Sequence, residues 1–206
     1  MELPHLPRRM PDPARAHGAW VYLAVSILAG ALTAIGQGFL PALLAGIGYA
    51  GVFLTASAAA LGRGRWQKRF AVGVVLALLP PGLALALGAD PAFLAYAPIA
   101  AFPAGASGWF AIKKGFQSPP ALALAVTALV LAAPSAACAG GTSHRLGWIL
   151  LALLAPFFVW RTWRLGALMK SEKGWTKERL RRIGLTEAGL AIAWTALALG
   201  VIHLIG

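Results

Sequence analysis

The chain has 206 residues, of which 59% are hydrophobic and 12% charged. A soluble domain carries about 25% charged residues, so this composition excludes an ordinary water-soluble fold and points to lipid as the solvent. The formal net charge of +12 comes from 18 Lys and Arg against 6 Asp and Glu; in a multispanning chain such an excess marks cytoplasmic loops, and no nucleic-acid partner is expected.

Residues 1–14 contain Pro4, Pro7, Pro11 and Pro13, which prevent a regular helix, so a flexible cytoplasmic tail is expected. Residues 15–206 then read as a single transmembrane helical domain. A helix needs about 20 apolar residues to cross the hydrocarbon core. The first span is predicted over about 18–36, ending in a Gly36-Gln37-Gly38 turn, and the second over about 39–61. The second holds Gly46-Ile47-Gly48-Tyr49-Ala50-Gly51, the Gly-x-Gly-x-x-Gly pattern of dinucleotide-binding folds. That fingerprint requires a strand before it and a turn into a helix. Here apolar sequence lies on both sides, so the glycines read as small residues for close helix contact.

Arg63, Arg65, Lys68 and Arg69 form the next loop. A third span follows over about 70–88, where Pro80-Pro81 is predicted to kink or break the helix. After the turn Ala89-Asp90-Pro91, the fourth span covers about 92–112, interrupted by Pro98 and Pro103 and closed by Lys113-Lys114. The fifth is predicted over about 120–137, followed by a polar loop from Cys138 to His144-Arg145. The sixth covers about 146–160 and continues as an amphipathic helix towards Met169. A basic cytoplasmic loop at 161–184 carries Arg161, Arg164, Lys170, Lys173, Lys177, Arg179, Arg181 and Arg182, and the seventh span, about 185–205, is expected to leave no room for a further domain.

With alternating loops, every Lys and Arg except Arg145 falls on one side. Because Lys and Arg mark the cytoplasmic side, the expectation is an all-α polytopic membrane helix bundle of about seven transmembrane helices, with the N-terminus cytoplasmic and the C-terminus outside. Trp20, Trp66, Trp109, Trp160 and Trp163 then lie near the inner interface, where indole rings anchor.

Few residues carry chemistry. Cys138 is the sole cysteine, which excludes an internal disulfide and a Cys-cluster metal site. No His/Glu set has zinc spacing. Asp12 and Asp90 fall on opposite sides of the membrane, so no clustered carboxylates exist to hold Mg²⁺. No catalytic residue, metal or cofactor is expected. Glu187 opens the seventh span: it is either a helix N-terminal charge with Thr186 as cap, or a carboxylate paired with Arg161 or Arg164 at the inner ends of the bundle. Arg161 and Arg164, three apart, share a helix face interleaved with Trp160 and Trp163, a pattern suited to lipid phosphate. His17 lies beside Arg15 and one turn before Trp20. It is either a polar helix start or a group that binds an anionic headgroup or shuttles a proton.

His17-Gly18-Ala19-Trp20, immediately ahead of the first apolar run, resembles the signature of YwiC-like bacterial membrane proteins. The basic loop Arg63 to Phe70, the Lys113-Lys114 pair and the Arg161-Thr162-Trp163-Arg164 helix end follow in a similar order. The chain departs from that pattern in having no proline in its first span. The resemblance implies a small multispanning protein of the cytoplasmic membrane and no particular activity. In layout the chain is also similar to UbiA-type prenyltransferases, whose Asp-rich motifs it lacks.

The leading expectation is a membrane protein without assigned catalysis that binds an anionic lipid or metabolite on its cytoplasmic side through Arg15, His17, Trp20, Arg161, Arg164 and Glu187. The alternatives are a small transporter, suggested by the prolines within spans three and four, and a degenerate UbiA-like lipid-processing enzyme. Membrane lipids are the expected partners.

Overall fold

Backbone amides that enter lipid must be satisfied within their own segment, and the long apolar runs of this chain accordingly fold as helices. A computed structural model describes residues 17–59, 66–115, 118–171 and 177–205, and no strand occurs among them. The helices are α1 (His17–Thr33), α2 (Phe39–Ala59), α3 (Trp66–Ala86), α4 (Tyr96–Lys114), α5 (Pro119–Val130), α6 (Ala132–Ala139), α7 (His144–Ser171) and α8 (Lys177–Ile205), with a 3-10 turn at Pro91–Ala95 ahead of α4. Five stretches are long and apolar enough to cross a membrane: Phe39–Ala58, Gln67–Ala86, Pro119–Ala139, His144–Leu168 and Glu178–Ile205. α1 is a shorter apolar helix. Leu78, Leu79, Leu83, Phe102, Ile192 and Leu204 are exposed on the helix exteriors, as lipid-facing side chains should be.

α2 and α3 run antiparallel, as do α7 and α8, whereas α1 and α6 run in the same direction, with Gly30 against Ala133 and Ala34 against Gly140. Gly48, Gly51 and Thr55 of α2 meet Pro81, Ala77 and Gly73 of α3 in reverse order. Trp194 of α8 donates to the Leu153 carbonyl of α7, and Arg161, two turns later in α7, donates to Glu187, two turns earlier in α8. The bundle therefore has two ends. One gathers Trp20 with Phe53, Trp163 with the Pro119 carbonyl, and the Arg161–Glu187 pair. The other gathers Thr33, Gly38, Gly140 and Thr142, together with Asp90, Cys138 and His144.

The core is built on small residues. A Cβ on Gly51 would overlap the α3 backbone, and one on Gly30 would overlap the Ala133 carbonyl of α6. The Gly46–Gly51 stretch is thus a packing surface: Gly46 accommodates Ile27, Gly48 accommodates the Pro81 ring and Gly51 accommodates α3 itself. Ala132, Ala133, Ala136 and Ala137 are fully buried, making α5–α6 the most enclosed of the long apolar stretches.

Several expectations are corrected. α3 runs through Pro80-Pro81 without a break: Gly48 of α2 leaves room for the Pro81 ring, and packed apolar helices tolerate the missing donors. Pro98 lies in the first turn of α4, where no helical hydrogen bond is lost, and α4 continues through Pro103. The interruption occurs instead in the fifth apolar stretch, at Leu131, just ahead of Pro134. α7 continues to Ser171, in line with the expected extension towards Met169, but α8 already begins at Lys177, within the stretch expected to be loop. The polar segment after the fifth stretch is likewise shorter than expected, since Cys138 is buried within α6 and His144 already starts α7. The tail, Arg15, Arg63, Arg65 and Lys173 lie outside the described residues.

A buried ion pair and a basic, aromatic end

Arg161 lies 17 residues after the start of α7, a rise of about 26 Å along an α-helix, close to the thickness of about 30 Å of a hydrocarbon core. Its guanidinium meets the Glu187 carboxylate with both forks: Nε donates to Oε2 at 2.9 Å, and Nη2 donates to Oε1. Both side chains are largely buried, at 11% and 16% exposure. The pairing of two forks is the geometry in which Arg and a carboxylate fit best. Tyr22 of α1 is beside the pair, stacked on Phe158 at 4.6 Å and close to Thr162.

Glu187 is eleven residues into α8, so it is not a helix N-terminal charge. Thr186 does not cap, because its hydroxyl donates back to the Arg182 carbonyl. The carboxylate belongs to Arg161, and Arg161 is therefore already neutralised.

Arg164, one turn on, is exposed and makes no salt bridge among the described residues. Its guanidinium lies over Trp160, 5.7 Å from the ring centre, with Arg161 on the same ring at 5.4 Å. Trp163 donates its indole N–H to the Pro119 carbonyl at 3.1 Å, fixing the end of α7 against the start of α5. The end of α4 repeats the motif: Lys113 over Trp109 at 5.0 Å and Lys114 over Phe110 at 5.6 Å. Trp109, Trp160 and Trp163 are each about half exposed. Each cation is held against an aromatic face while its charge stays exposed to the surroundings.

The structure thus brings Arg161 and Glu187 together and holds Arg164 on the same stretch of α7, pointing outward. It does not add Trp20 to them. Trp20 packs edge-on against Phe53 of α2 at 5.1 Å. Two residues later, roughly 200° around the helix, Tyr22 takes the face towards α7. His17 begins α1; its side chain, like Arg15, lies outside the described residues.

A second group forms at the opposite end, where the sequence predicts no metal-ligand set. Asp90, Cys138 and His144 present one ligand atom each, all within 4.8 Å of one another. The short Cys138-to-His144 spacing is visible in the sequence, but Asp90 reaches them only through the fold.

No family model, curated protein or solved structure matches the chain.

Proposed function

We propose that the chain is a seven-span protein of a cytoplasmic membrane, N-terminus inside and C-terminus outside, whose inner face binds the phosphate groups of anionic lipids. In this reading α5 and α6 together make one broken span, and α1 and α4 complete the set with the five longer stretches. The carrying observation is the set of cations stacked on aromatic rings at one end: Lys113 on Trp109, Lys114 on Phe110 and Arg164 on Trp160. Arg161, saturated by Glu187, serves as the internal support of that face and not as a ligand contact. Arg15 and His17 enter at the same end in this topology, and the resemblance of His17-Gly18-Ala19-Trp20 to the YwiC-like signature supports a small multispanning protein of this kind.

The reading is tested by native mass spectrometry of the purified protein released from nanodiscs containing phosphatidylglycerol and phosphatidylcholine. Anionic lipid should be retained preferentially, and the Lys113→Ala/Arg164→Ala variant should lose that preference while keeping its helicity. Equal retention by the variant and the parent protein overturns it.

A transporter is the second reading. The interruption at Leu131 in the most enclosed stretch favours it, since broken helices line transport sites. Two buried hydroxyls without hydrogen-bond partners, Ser26 Oγ of α1 and Thr195 Oγ1 of α8, add polar positions within the bundle. Substrate-dependent flux in proteoliposomes, abolished by Ser26→Val or Thr195→Val, would select this reading over the first.

A further inference from the structure

The end of the bundle opposite the basic face carries its own chemistry. α3 and α6 both finish in the same way. At α3 the amide of Ala89 donates to the Ala84 carbonyl and that of Gly88 to Leu85; at α6 Thr142 donates to Ala137 and Gly141 to Cys138. These are Schellman ends, each with a glycine at positive φ, +87° for Gly88 and +86° for Gly141. The first delivers Asp90 two residues after its glycine. The second turns the chain from Cys138 in the last turn of α6 to His144 at the start of α7. Gly140 is wedged against Ala34 and Gly38, and Thr142 Oγ1 donates to the Thr33 carbonyl at 3.3 Å. The turn is therefore braced by α1 and the segment that follows it.

Within this corner Cys138 is 2% exposed, and its thiol faces His144 Nε2 at 3.8 Å. That is a poor hydrogen bond. It is close to the edge of roughly 3.6 Å expected between a sulfur at ~2.3 Å and a nitrogen at ~2.05 Å on one tetrahedral zinc. The other ring nitrogen, Nδ1, lies 3.0 Å from the Tyr96 hydroxyl. Tyr96 is buried and packed against Trp148 at 5.7 Å, so it is a fixed partner. A ring N–H donated from Nδ1 to Tyr96 leaves the Nε2 lone pair facing the thiol, the outer-shell arrangement typical of metal-bound histidine. Asp90 Oδ1 accepts from the Ala92 amide at 2.9 Å, which orients the carboxylate while its second oxygen remains.

We propose that Asp90, Cys138 and His144 form a Zn²⁺-binding site at this end of the bundle, with a fourth coordination position for water or an exchangeable ligand. The donor set of one sulfur, one nitrogen and one oxygen suits a borderline-soft cation and not Mg²⁺ or Ca²⁺, which take oxygen ligands. A thiolate and a carboxylate cancel the charge of a divalent ion, so the loaded site is neutral at the edge of the lipid. Three protein ligands with one open position is the pattern of exchangeable or reactive zinc and not of closed structural sites. The thiol proton leaves to solvent when the metal binds.

The test uses the untagged full chain in detergent, with Zn²⁺ titrated calorimetrically and Co²⁺ as the spectroscopic probe. One metal per chain should bind, and Co²⁺ should give a thiolate charge-transfer band in the near ultraviolet. Cys138→Ser should abolish that band. His144→Gln and Asp90→Asn should each weaken Zn²⁺ binding by more than about tenfold, and Tyr96→Phe by about tenfold, the size of an outer-shell loss. The His203→Ala variant should bind as the parent does. Asp90 is exposed and asparagine can still accept from Ala92, so Asp90→Asn keeps the test open if Cys138→Ser does not fold. Absence of the thiolate band in the parent protein, or Zn²⁺ affinity unchanged in both Asp90→Asn and His144→Gln, overturns the proposal and reduces the Cys138–His144 contact to packing.

Discussion

Arg161 and Glu187 join α7 to α8 through a two-pronged ion pair that is largely shut off from solvent. Removing one partner of such a pair leaves an unpaired buried charge and costs about 3–5 kcal/mol, whereas replacing both by apolar residues of similar size is often neutral. Arg161→Met and Glu187→Met are each expected to lower stability by about that amount. Arg161→Met/Glu187→Met should recover most of the loss. Thermal unfolding of the four proteins in one detergent, read as a double-mutant cycle, measures the coupling; additive losses would show that the two side chains do not depend on each other.

The α2–α3 interface makes a different demand, because its contact is backbone on backbone. Gly51 lies against Leu76 and Ala77, and Gly73 against Thr55 and Gly51. Any side chain at Gly51 must push the helices apart, and overpacking costs about 1–3 kcal/mol. Gly51→Leu is therefore expected to destabilise the protein by at least that much. Gly82, later on the same helix and facing open space, should behave oppositely: Gly82→Ala is expected to be neutral or to stabilise by roughly 0.5–1 kcal/mol through the gain in helix propensity. A shared detergent and a common unfolding assay give the comparison, and equal effects at the two positions would contradict the packing.

The helical class and the placement of most apolar stretches were legible in the sequence, because lipid burial leaves long uninterrupted runs that composition alone reveals. The non-nucleotide meaning of Gly46–Gly51 was legible for the same reason. What a linear reading misjudges is where proline matters. Pro80-Pro81 looks more disruptive than Pro134, yet Gly48 on the neighbouring helix makes room for Pro81, and the helix is interrupted three residues before Pro134 instead. Charge density alone suggests a loop ahead of the last span, but Lys177–Arg182 is helical, with Arg182 bonded to Glu178 four residues earlier. Glu187 thereby moves from a helix start to mid-helix, which decides between its two readings. The Asp90–Cys138–His144 group was not legible, since its members lie 48 and 6 positions apart and meet only because two helices end side by side.

The proposed topology makes a prediction of its own. Alkaline phosphatase fused after Ser143 or Ile205 should be active in bacterial cells, and fused after Lys114 or Ser171 inactive; green fluorescent protein should give the complementary pattern. The underlying physics is the retention of Lys- and Arg-rich segments in the cytoplasm. An active phosphatase after Ser171 would reverse the assignment of the basic end, and with it the side on which anionic lipid is met.

Gly141 links backbone conformation to the far end of the bundle. Its φ of +86° is left-handed, where an L side chain costs roughly 1–2 kcal/mol. Gly115, at the end of α4, has a φ of +89° and open space around it. Alanine at either position should therefore lower stability by a similar amount. Only Gly141 sits between Cys138 and His144, in the turn whose hydrogen bonds close α6. Gly141→Ala should relax that turn and open the buried Cys138 thiol to solvent, so maleimide should label Cys138 faster than in the parent protein. Gly115→Ala should leave the labelling rate unchanged despite its comparable loss of stability. Equal acceleration in both variants would mean that the thiol is protected by global folding alone, and that the Gly140–Gly141 turn does not hold it in place.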